Sequence, residues 1–262
     1  MVRLLSKSEL GVAYEAYRRH EAFFPLIGAV LQDQQDGLVL ADDPHSPCRF
    51  YVEHAFGFAQ VFGGDNAGFD EALRHYLLVE KSFAASKARL YTPVEPAFLR
   101  GPEFDHVRSE RQRFILDPKL MDSVGDRGVS GDTGVEIRGA QSGDLAAIEA
   151  RFGVVRRFWR SDQDFLASAH AIVAWASGEP ASICYAAAVA GGVAEIDVFT
   201  HPEHRRAGLA KRVVDAFSRL CLGQGLLPVW DCFTNNAGSM ALCKSCGFDP
   251  IRPAYPFYTL NK

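Results

Sequence analysis

The clearest change of periodicity in this chain lies in its second half. Residues 195–200 alternate polar and apolar side chains, with Ile196 and Val198 on one side, which is typical of a half-buried strand. Pro202 ends the alternation, and residues 209–220 then follow the amphipathic pattern of a helix. This stretch therefore predicts a strand, a short turn and the start of a helix.

The same half of the chain alternates predicted strands and helices on either side of this stretch. Strands are predicted at residues 135–138, 171–176, 181–189 and 227–232. Helices are predicted from residue 142, over residues 156–167 and over a short segment before Gly247. Three antiparallel strands before the turn, followed by strand, helix and strand, predict an α+β fold with a mixed sheet flanked by helices.

The first half has a comparable succession of elements, and a polar segment separates the two halves. Its strands are predicted at residues 37–41, 48–54, 55–62, 88–92 and 113–116, and its helices at residues 8–20, 23–31 and 69–79. Residues 122–134 are rich in Gly, Asp and Ser, which is typical of a linker. The expected organisation is an N-terminal α/β domain over residues 1–121, this linker, and a second domain over residues 135–262.

Composition narrows the class of protein. A hydrophobic content of 48% with 23% charged residues is ordinary for a soluble globular protein. The net charge of −4, without a long basic run, argues against nucleic acid as the main partner. No apolar run approaches the roughly 20 residues of a membrane helix, and the first residues lack a secretory signal. We therefore expect a cytoplasmic protein whose six cysteines are reduced thiols.

The turn before the predicted helix has the features of an anion site. It reads Arg-x-x-Gly-x-Ala from Arg205 to Ala210. The first amides of a helix have no partner within the helix, and its dipole attracts negative charge. Gly208 lets the backbone approach a ligand closely, and Arg205 and Arg206 add positive charge. The turn therefore predicts a site for a pyrophosphate.

This stretch resembles the acyl-CoA-binding motif of the GNAT N-acetyltransferase superfamily, which is Arg or Gln, two residues, Gly, one residue, and Gly or Ala after a strand. Arg205, Gly208 and Ala210 match it. The flanks match as well, because a second strand, an Asn, a short helix and Gly247-Phe248 follow in the superfamily's order. The run from Gly225 to Cys232 resembles most closely the branch of the zwittermicin A self-resistance acetyltransferases.

The resemblance covers residues 135–260, about half of the chain. It implies a GNAT-like mixed central sheet. The order of elements in the first half, with a strand ending in Gly63-Gly64, resembles the degenerate first copy of tandem proteins of this branch. An unrelated cap domain is the alternative.

The resemblance implies an N-acetyltransferase that moves the acetyl group of acetyl-CoA directly to an amine of a small molecule. A non-catalytic acyl-CoA-binding or sensing module is the alternative. The acceptor and the oligomeric state stay open. The backbone at Val198, Phe199 and Thr200 is expected along the pantetheine arm. The remaining expected acyl-CoA contacts are Arg205, Arg206, Ala207, Gly208, Leu209, Ala210, Lys211, Asn236 and Ser239.

Acetyl transfer to an amine needs a base for the ammonium and benefits from an acid for the leaving thiolate. Glu195 and Asp197 lie two apart on one strand face and are the candidate bases, with a solvated or salt-bridged strand face as the alternative. The superfamily usually carries an acidic Tyr where this chain has Cys243. Cys243, a water, Tyr255 or Tyr258 are the candidates for the acid.

Metal binding is not expected. Cys243 and Cys246 form a C-x-x-C, but Cys221 and Cys232 do not supply a second pair at zinc-site spacing. Cys246 is therefore expected to be a buried thiol. His201 and His204 flank the turn without an evident third ligand, so they are expected on the loop surface.

Overall fold

The computed structural model describes residues 2–117 and 134–262, which form two compact units. The first unit comprises Met1–Arg111 with Ala254–Lys262, and the second comprises Gln112–Pro253. The expected linker, residues 122–134, lies outside the described residues apart from Gly134.

The first unit is a sheet with helices packed on it. Its strands are β1 (Arg3–Leu4), β2 (Gly37–Ala41), β3 (Arg49–His54), β4 (Phe58–Gly63), β5 (Lys87–Tyr91), the first part of β6 (Arg108–Leu116), and β13 (Tyr255–Asn261). Its helices are α1 (Leu10–Tyr17), α2 (Pro25–Leu31) and α3 (Ala67–Arg74), which a π-helical turn (His75–Glu80) extends. The strand order is β1-β2-β3-β4-β5-β13-β6, with β4 and β5 parallel and the other described pairs antiparallel.

The division into units differs from the expected one in the placement of residues 112–117 and 254–262. Residues 254–262 lie in the first unit because β13 pairs with β5 from Phe257 opposite Tyr91 to Asn261 opposite Lys87. Tyr258 and Leu260 of β13 are buried in the core of this unit. The helix predicted from residue 8 is preceded by a capping box between Ser6 and Glu9.

The second unit is a mixed sheet flanked by helices, as predicted. Its strands are the second part of β6, β7 (Val135–Gly139), β8 (Ile172–Ala176), β9 (Glu179–Ala190), β10 (Val193–Thr200), β11 (Leu227–Phe233) and β12 (Phe248–Pro250). Its helices are α4 (Leu145–Phe152), α5 (Asp162–Ser168), α6 (Leu209–Gly223) and α7 (Ala237–Ser245). Neighbouring strands follow the order β11-β10-β9-β8-β7, and β12 pairs with residues 114–116 of β6.

The core of the second unit lies between this sheet and helices α6 and α7. Ala194 and Ile196 of β10 pack there against Val213, Val214 and Phe217 of α6, all of them buried. Because successive side chains of a strand point to opposite faces, the neighbouring residues of β10 are directed away from α6. The hydrophobic period of β10 thus assigns one face to the core and leaves the other face for chemistry.

Candidate functional site

Strands β10 and β11 run side by side only at their beginnings. Their parallel pairing runs from Val193 opposite Leu227 to Glu195 opposite Val229. From Ile196 onward the described pairing of β10 is with β9 and continues to Thr200. The parallel pair therefore separates toward the end of β10.

Two amides of β10 point toward this separation. His201 N–H donates to Ala181 O of the β9 side at 2.9 Å. Because amides alternate between the two edges of an extended strand, those of Thr200 and Val198 point to the opposite edge, which faces β11. These are the amides expected along a pantetheine arm. Phe199 differs from them, because its carbonyl accepts Ser182 Oγ at 2.9 Å on the β9 side.

An exposed turn connects β10 to α6. A 3-10 turn (Pro202–His204) is followed by two residues in the left-handed region, Arg206 at φ 64° and Gly208 at φ 76°. An added Cβ at Gly208 would meet no protein atom within 4 Å. The first helical bond joins Arg212 N–H to Gly208 O at 3.2 Å. The amides of residues 209–211 precede that bond, as expected for an anion-binding helix terminus. We call residues 201–208 the phosphate loop.

The expected cofactor-binding side chains lie in different settings. Arg205 and Arg206 are exposed on the phosphate loop, and Arg205 Nε donates to Thr200 O at 3.3 Å. Lys211 is directed elsewhere, because its Nζ donates to Ser245 O of α7 at 2.8 Å. Ala207 is exposed, Ala210 is half-buried, and Leu209 packs into the core.

Asn236 and Ser239 belong to the first turn of α7. Asn236 is its N-cap and accepts Ser239 N–H at 3.1 Å. Ser239 Oγ in turn accepts Trp230 Nε1–H at 3.0 Å. Both residues therefore fix the start of α7 against β11.

The candidate bases lie on the face of β10 opposite α6. Glu195 is buried at 5% exposure and is the last residue of β10 paired with β11. Asp197, two residues on, is half-buried and accepts Tyr185 Oη–H of β9 at 2.8 Å. Burial, reinforced by the nearby Asp197 carboxylate, raises the pKa of Tyr185 well above its usual range. The phenol therefore stays protonated and donates to Asp197.

Arg157 covers part of this face from the turn between α4 and α5. Its guanidinium lies over the rings of Phe199 and Phe158, at 5.2 and 5.5 Å from their centroids. Its Nη1 is 3.8 Å from Asp197 Oδ2. Neither Arg157 nor Tyr185 was predicted from the sequence, because both reach Asp197 through contacts between distant segments.

A further acid on the same side was also not predicted. Asp231 of β11 alternates with Trp230 and Cys232, which face the α6 core, so it shares the face of Glu195. Its Oδ2 is 3.8 Å from Arg113 Nη1 of β6, and the side chains are 1% and 7% exposed. A buried ion pair flanked by two apolar positions is visible in the sequence only as a break in the hydrophobic run of β11.

The cysteines expected near the site belong to the core. Cys243 is fully buried and Cys246 is 4% exposed, both within the α6–α7 core. Burial raises the pKa of the Cys243 thiol far above its usual range and that of Cys246 to about 11. The expectation that Cys246 is a buried thiol is confirmed. All six cysteines lie in the described residues, and none forms a disulfide.

The two candidate tyrosines lie in the first unit. Tyr255 is buried, with its ring 5.7 Å from that of Phe24. Tyr258 donates to Glu95, and burial, followed by that carboxylate, raises its pKa to about 12. Both tyrosines therefore contribute to the packing of the first unit.

The first unit repeats the element order of the second with different chemistry. In its parallel pair, Phe58–Gln60 of β4 lie opposite Arg89–Tyr91 of β5. Gln60 therefore occupies the position that corresponds to Glu195 in the pair of β10 and β11. Gln60 is 1% exposed, accepts Tyr17 Oη–H at 2.5 Å and donates to Ala22 O at 3.1 Å. A buried carboxamide bonded in this way cannot act as a base.

The turn before α3 is also unlike the phosphate loop. Only residues 64–66 separate β4 from α3, whereas residues 201–208 separate β10 from α6. Asn66 caps α3 by accepting Phe69 N–H, and its amide donates to Asp42. The Asn66 carboxamide oxygen therefore occupies an amide at the start of α3, where an anion would bind, and the Asp42 carboxylate lies beside that carboxamide.

Two further properties of the described residues concern metal binding and membrane-spanning helices. Within residues 2–117 and 134–262, no cluster of three or more His, Cys, Asp or Glu side chains is arranged to hold a metal ion. Among the helices formed by these residues, none has the length and hydropathy required to cross a membrane.

Comparisons with known proteins agree with the geometry of the second unit. Residues 140–258 match the family model of the GNAT acetyltransferases. An uncharacterized N-acetyltransferase of Bacillus subtilis (strain 168), YdfB, is 28% identical over 239 residues, which is 88% of either chain.

Solved structures share the fold over the whole chain at low identity. A GCN5-related N-acetyltransferase-like protein of Streptococcus suis has a TM-score of 0.72 at 16% identity, covering 98% of this chain and 100% of that one. A tandem GNAT protein from the clavulanic acid biosynthesis pathway has a TM-score of 0.67 at 13% identity, covering 100% and 98%. The expected GNAT-like mixed α+β fold is confirmed, and the tandem GNAT neighbour fits a two-domain arrangement.

Proposed function

We propose that this protein is a GNAT acetyltransferase, the family whose model residues 140–258 match, and that it transfers an acetyl group from acetyl-CoA to an amine of a small molecule. The observation that carries the proposal is the separation of β10 from β11 beside the phosphate loop. The amides of Val198 and Thr200 would bond the pantetheine arm, and the start of α6 would receive the pyrophosphate. The proposal extends to one branch of these enzymes, because residues 225–232 resemble the zwittermicin A resistance branch.

Transfer is direct and passes through no acyl-enzyme. The amine nitrogen forms a bond to the thioester carbonyl carbon, the carbon–sulfur bond then breaks, and the nitrogen gives up its second proton to water. Holding both partners in attack geometry lowers the barrier by roughly 7–11 kcal/mol. The amide near Val198 would stabilise the oxyanion that develops on the carbonyl.

Glu195 is the proposed base. It sits where β10 and β11 begin to separate, and it takes a proton from the ammonium before attack. Asp197 is the fallback, but it already accepts the phenol of Tyr185 and lies near Arg157, and both contacts stabilise its ionised form. We therefore assign Asp197 to positioning and Glu195 to proton transfer.

No thiol or phenol is required at the leaving sulfur. Cys243 is enclosed in the core, with a raised pKa and no exposed surface. The CoA thiolate is a fair leaving group and takes its proton from water. General acid catalysis, where present, contributes about 10²–10⁴-fold, so its absence is tolerable.

The first test reverses charge on the phosphate loop. Arg205→Glu with Arg206→Glu removes two charge-assisted contacts, each worth on the order of 1.5–3 kcal/mol. Calorimetry should show much weaker acetyl-CoA binding. The matched control is Arg18→Glu with Arg19→Glu, an adjacent exposed pair in the first unit that changes the net charge equally. Unchanged affinity in the loop variant would remove the basis of the proposal.

The second test separates transfer from mere binding. Release of CoA thiol, followed with dithionitrobenzoate over a panel of amines, should depend on the amine. A sensing module would bind acetyl-CoA in calorimetry and release no thiol with any amine. That outcome would contradict the proposed acetyl transfer.

A further inference from the structure

The end of helix α4 contacts the phosphate loop. Arg151 Nη2 donates to His201 Nδ1 at 2.9 Å and to Glu203 Oε2 at 3.2 Å. His201 Nδ1 and Glu203 Oε2 are themselves 3.2 Å apart. A guanidinium has donors only, so the contact with His201 is a hydrogen bond in the tautomer whose Nδ1 carries no proton. One arginine thus joins two residues at the beginning of the loop.

Arg151 is presented by a well-fixed segment. Helix α4 buries Leu145 and Ile148, and it ends at Gly153, whose left-handed conformation lets its amide bond Glu149 O. The Glu149 carboxylate also accepts Val155 N–H at 2.8 Å beyond the helix end. The guanidinium therefore reaches the loop from an element that is itself held on both sides of Arg151.

The phosphate loop needs such support. Arg206 has a side chain and yet adopts φ 64°, a left-handed conformation that is unfavourable for an L-residue. Strain of this kind persists only where surrounding contacts over-determine the backbone. His201 is bonded at its amide to Ala181 O and at its ring to Arg151, so it is fixed at the point where strand becomes loop.

The two contacts of Arg151 are unequal. The Glu203 side chain is 73% exposed, so its ion pair is screened by water and adds little. The His201 side chain is 25% exposed, which leaves its hydrogen bond better protected. The bond to His201 should therefore carry most of the effect.

We propose that Arg151 is a positioning residue for acyl-CoA, which acts by holding His201 and thereby the phosphate loop in its ligand-binding conformation. The inference rests on the proposed function of this loop. Arg151 itself need not touch the pyrophosphate. Its removal should let the phosphate loop move and should weaken acetyl-CoA binding. It should leave Glu195 and Asp197 on β10 unchanged.

The test compares Arg151→Met with Arg156→Met. Both changes keep the aliphatic stem and remove a partly exposed guanidinium paired to an acid, but Arg156 pairs with Asp162 and not with the loop. Arg151→Met should raise the Kd and KM for acetyl-CoA about 3- to 10-fold, the range expected for one partly exposed polar contact, and leave kcat nearly unchanged. Arg156→Met should change neither, and Arg151→Lys should restore part of the affinity.

A second variant locates the effect. If Arg151 acts through His201, Arg151→Met combined with His201→Phe should be no weaker than the poorer single variant. Additive losses would overturn the proposal, as would an unchanged Kd in Arg151→Met or an equal loss in Arg156→Met. Glu203→Gln should change the Kd less than about two-fold, as expected for an exposed ion pair.

Hydrogen exchange separates this inference from the proposed function. Without ligand, the amides of residues 203–208 should exchange faster in Arg151→Met than in wild type, and those of α6 should not. If wild-type protein bound no acetyl-CoA, the proposed function would fail, while the exchange comparison would still decide whether Arg151 holds the loop. Unaltered loop exchange would overturn the inference even if acetyl-CoA bound well.

Discussion

At the scale of single residues, the alternation of β10 decides which side chains are available for chemistry. Ile196 and Val198 face the α6 core, and Glu195 and Asp197 face away from it. This much followed from the sequence. The partners of Asp197 did not, because Tyr185 and Arg157 are brought to it by a neighbouring strand and a distant turn. Local periodicity carries no information about such contacts.

Glu195→Gln should remove the base and keep the shape of the site. We expect kcat to fall by about 10²–10⁴-fold, the usual contribution of a general base, with acetyl-CoA affinity unchanged. The first unit already carries Gln60 at the same register, so a carboxamide fits this sheet position. Turnover near wild type in Glu195→Gln would transfer the role to Asp197, to be checked with Asp197→Asn.

Cys243→Ala is the companion measurement. The thiol is fully buried in the core, so the change should cost stability, about 1 kcal/mol as for many core truncations, and keep most of kcat. An inert Cys243→Ala that still bound acetyl-CoA normally would make the thiol an acid or a nucleophile. The direct mechanism would then be wrong.

At the scale of elements, the sequence predicted best the segments that proline and glycine delimit. Pro202 and Gly208 bracket the phosphate loop, and β10 and α6 lie on either side of it as expected. Helix α5 was predicted from residue 156 but begins at Asp162, because Ser161 caps it by accepting Asp164 N–H. Apolar residues in the preceding turn, such as Phe158 and Trp159, look helical by periodicity although tertiary packing buries them.

Gly208→Ala tests the loop as an element. Gly208 has φ 76° with no protein atom within 4 Å of an added Cβ, and Gly178 in the β8–β9 hairpin has φ 83° with equally open space. Alanine at either position should cost roughly 1–2 kcal/mol of stability because of the left-handed backbone. Only Gly208→Ala should weaken acetyl-CoA binding, because its methyl group would lie where we propose that the phosphate approaches. Equal affinity in the two variants would refute this role of the loop.

At the scale of the whole molecule, two units of one architecture are expected to hold a single cofactor. The turn of residues 64–66 is short and carries Asn66 and Asp65, and the sheet position of the base holds Gln60. Calorimetry of wild type should therefore give one acetyl-CoA per chain. A stoichiometry of two would contradict this, as would full binding by the Arg205→Glu, Arg206→Glu variant.

The first unit should also confer a pH dependence on stability. Burial lowers the pKa of His54 to about 4, against 6.5 for an ordinary histidine. Above pH 6.5 the imidazole is neutral in both the folded and the unfolded chain, so the contribution of His54 to the free energy of unfolding is constant. As the pH falls from 6.5 toward 4, the unfolded chain binds a proton that the folded unit resists, so stability is lost.

The expected loss by pH 5 is about 2 kcal/mol, from 1.36 kcal/mol for each unit of pKa difference. Urea unfolding at about pH 7 and pH 5 measures it. In a His54→Gln variant the stability at pH 7 should be lower, but the decrease between the two pH values should be smaller by about that amount. An equal decrease in both proteins would show that other groups cause it.

The unit to which the last strand belongs was the part of the fold least accessible from the sequence. The second domain was expected to run to residue 262, because the superfamily pattern ends in a final strand. The strand exists as β13, but its partner β5 lies far earlier in the chain. Pairing between strands so distant in sequence leaves no trace in hydrophobic periodicity, which reports burial and not the identity of the neighbour.

The position of β13 has a consequence for the order in which the molecule forms during translation. Gln112–Pro253 are contiguous, so every strand of the second unit has left the ribosome before β13 appears. The first unit has a gap in its sheet between β5 and β6 until β13 fills it. The half that is synthesised first is therefore completed last. In the interval its β5 edge is open to strand pairing with other nascent chains, the situation in which holding chaperones are most useful.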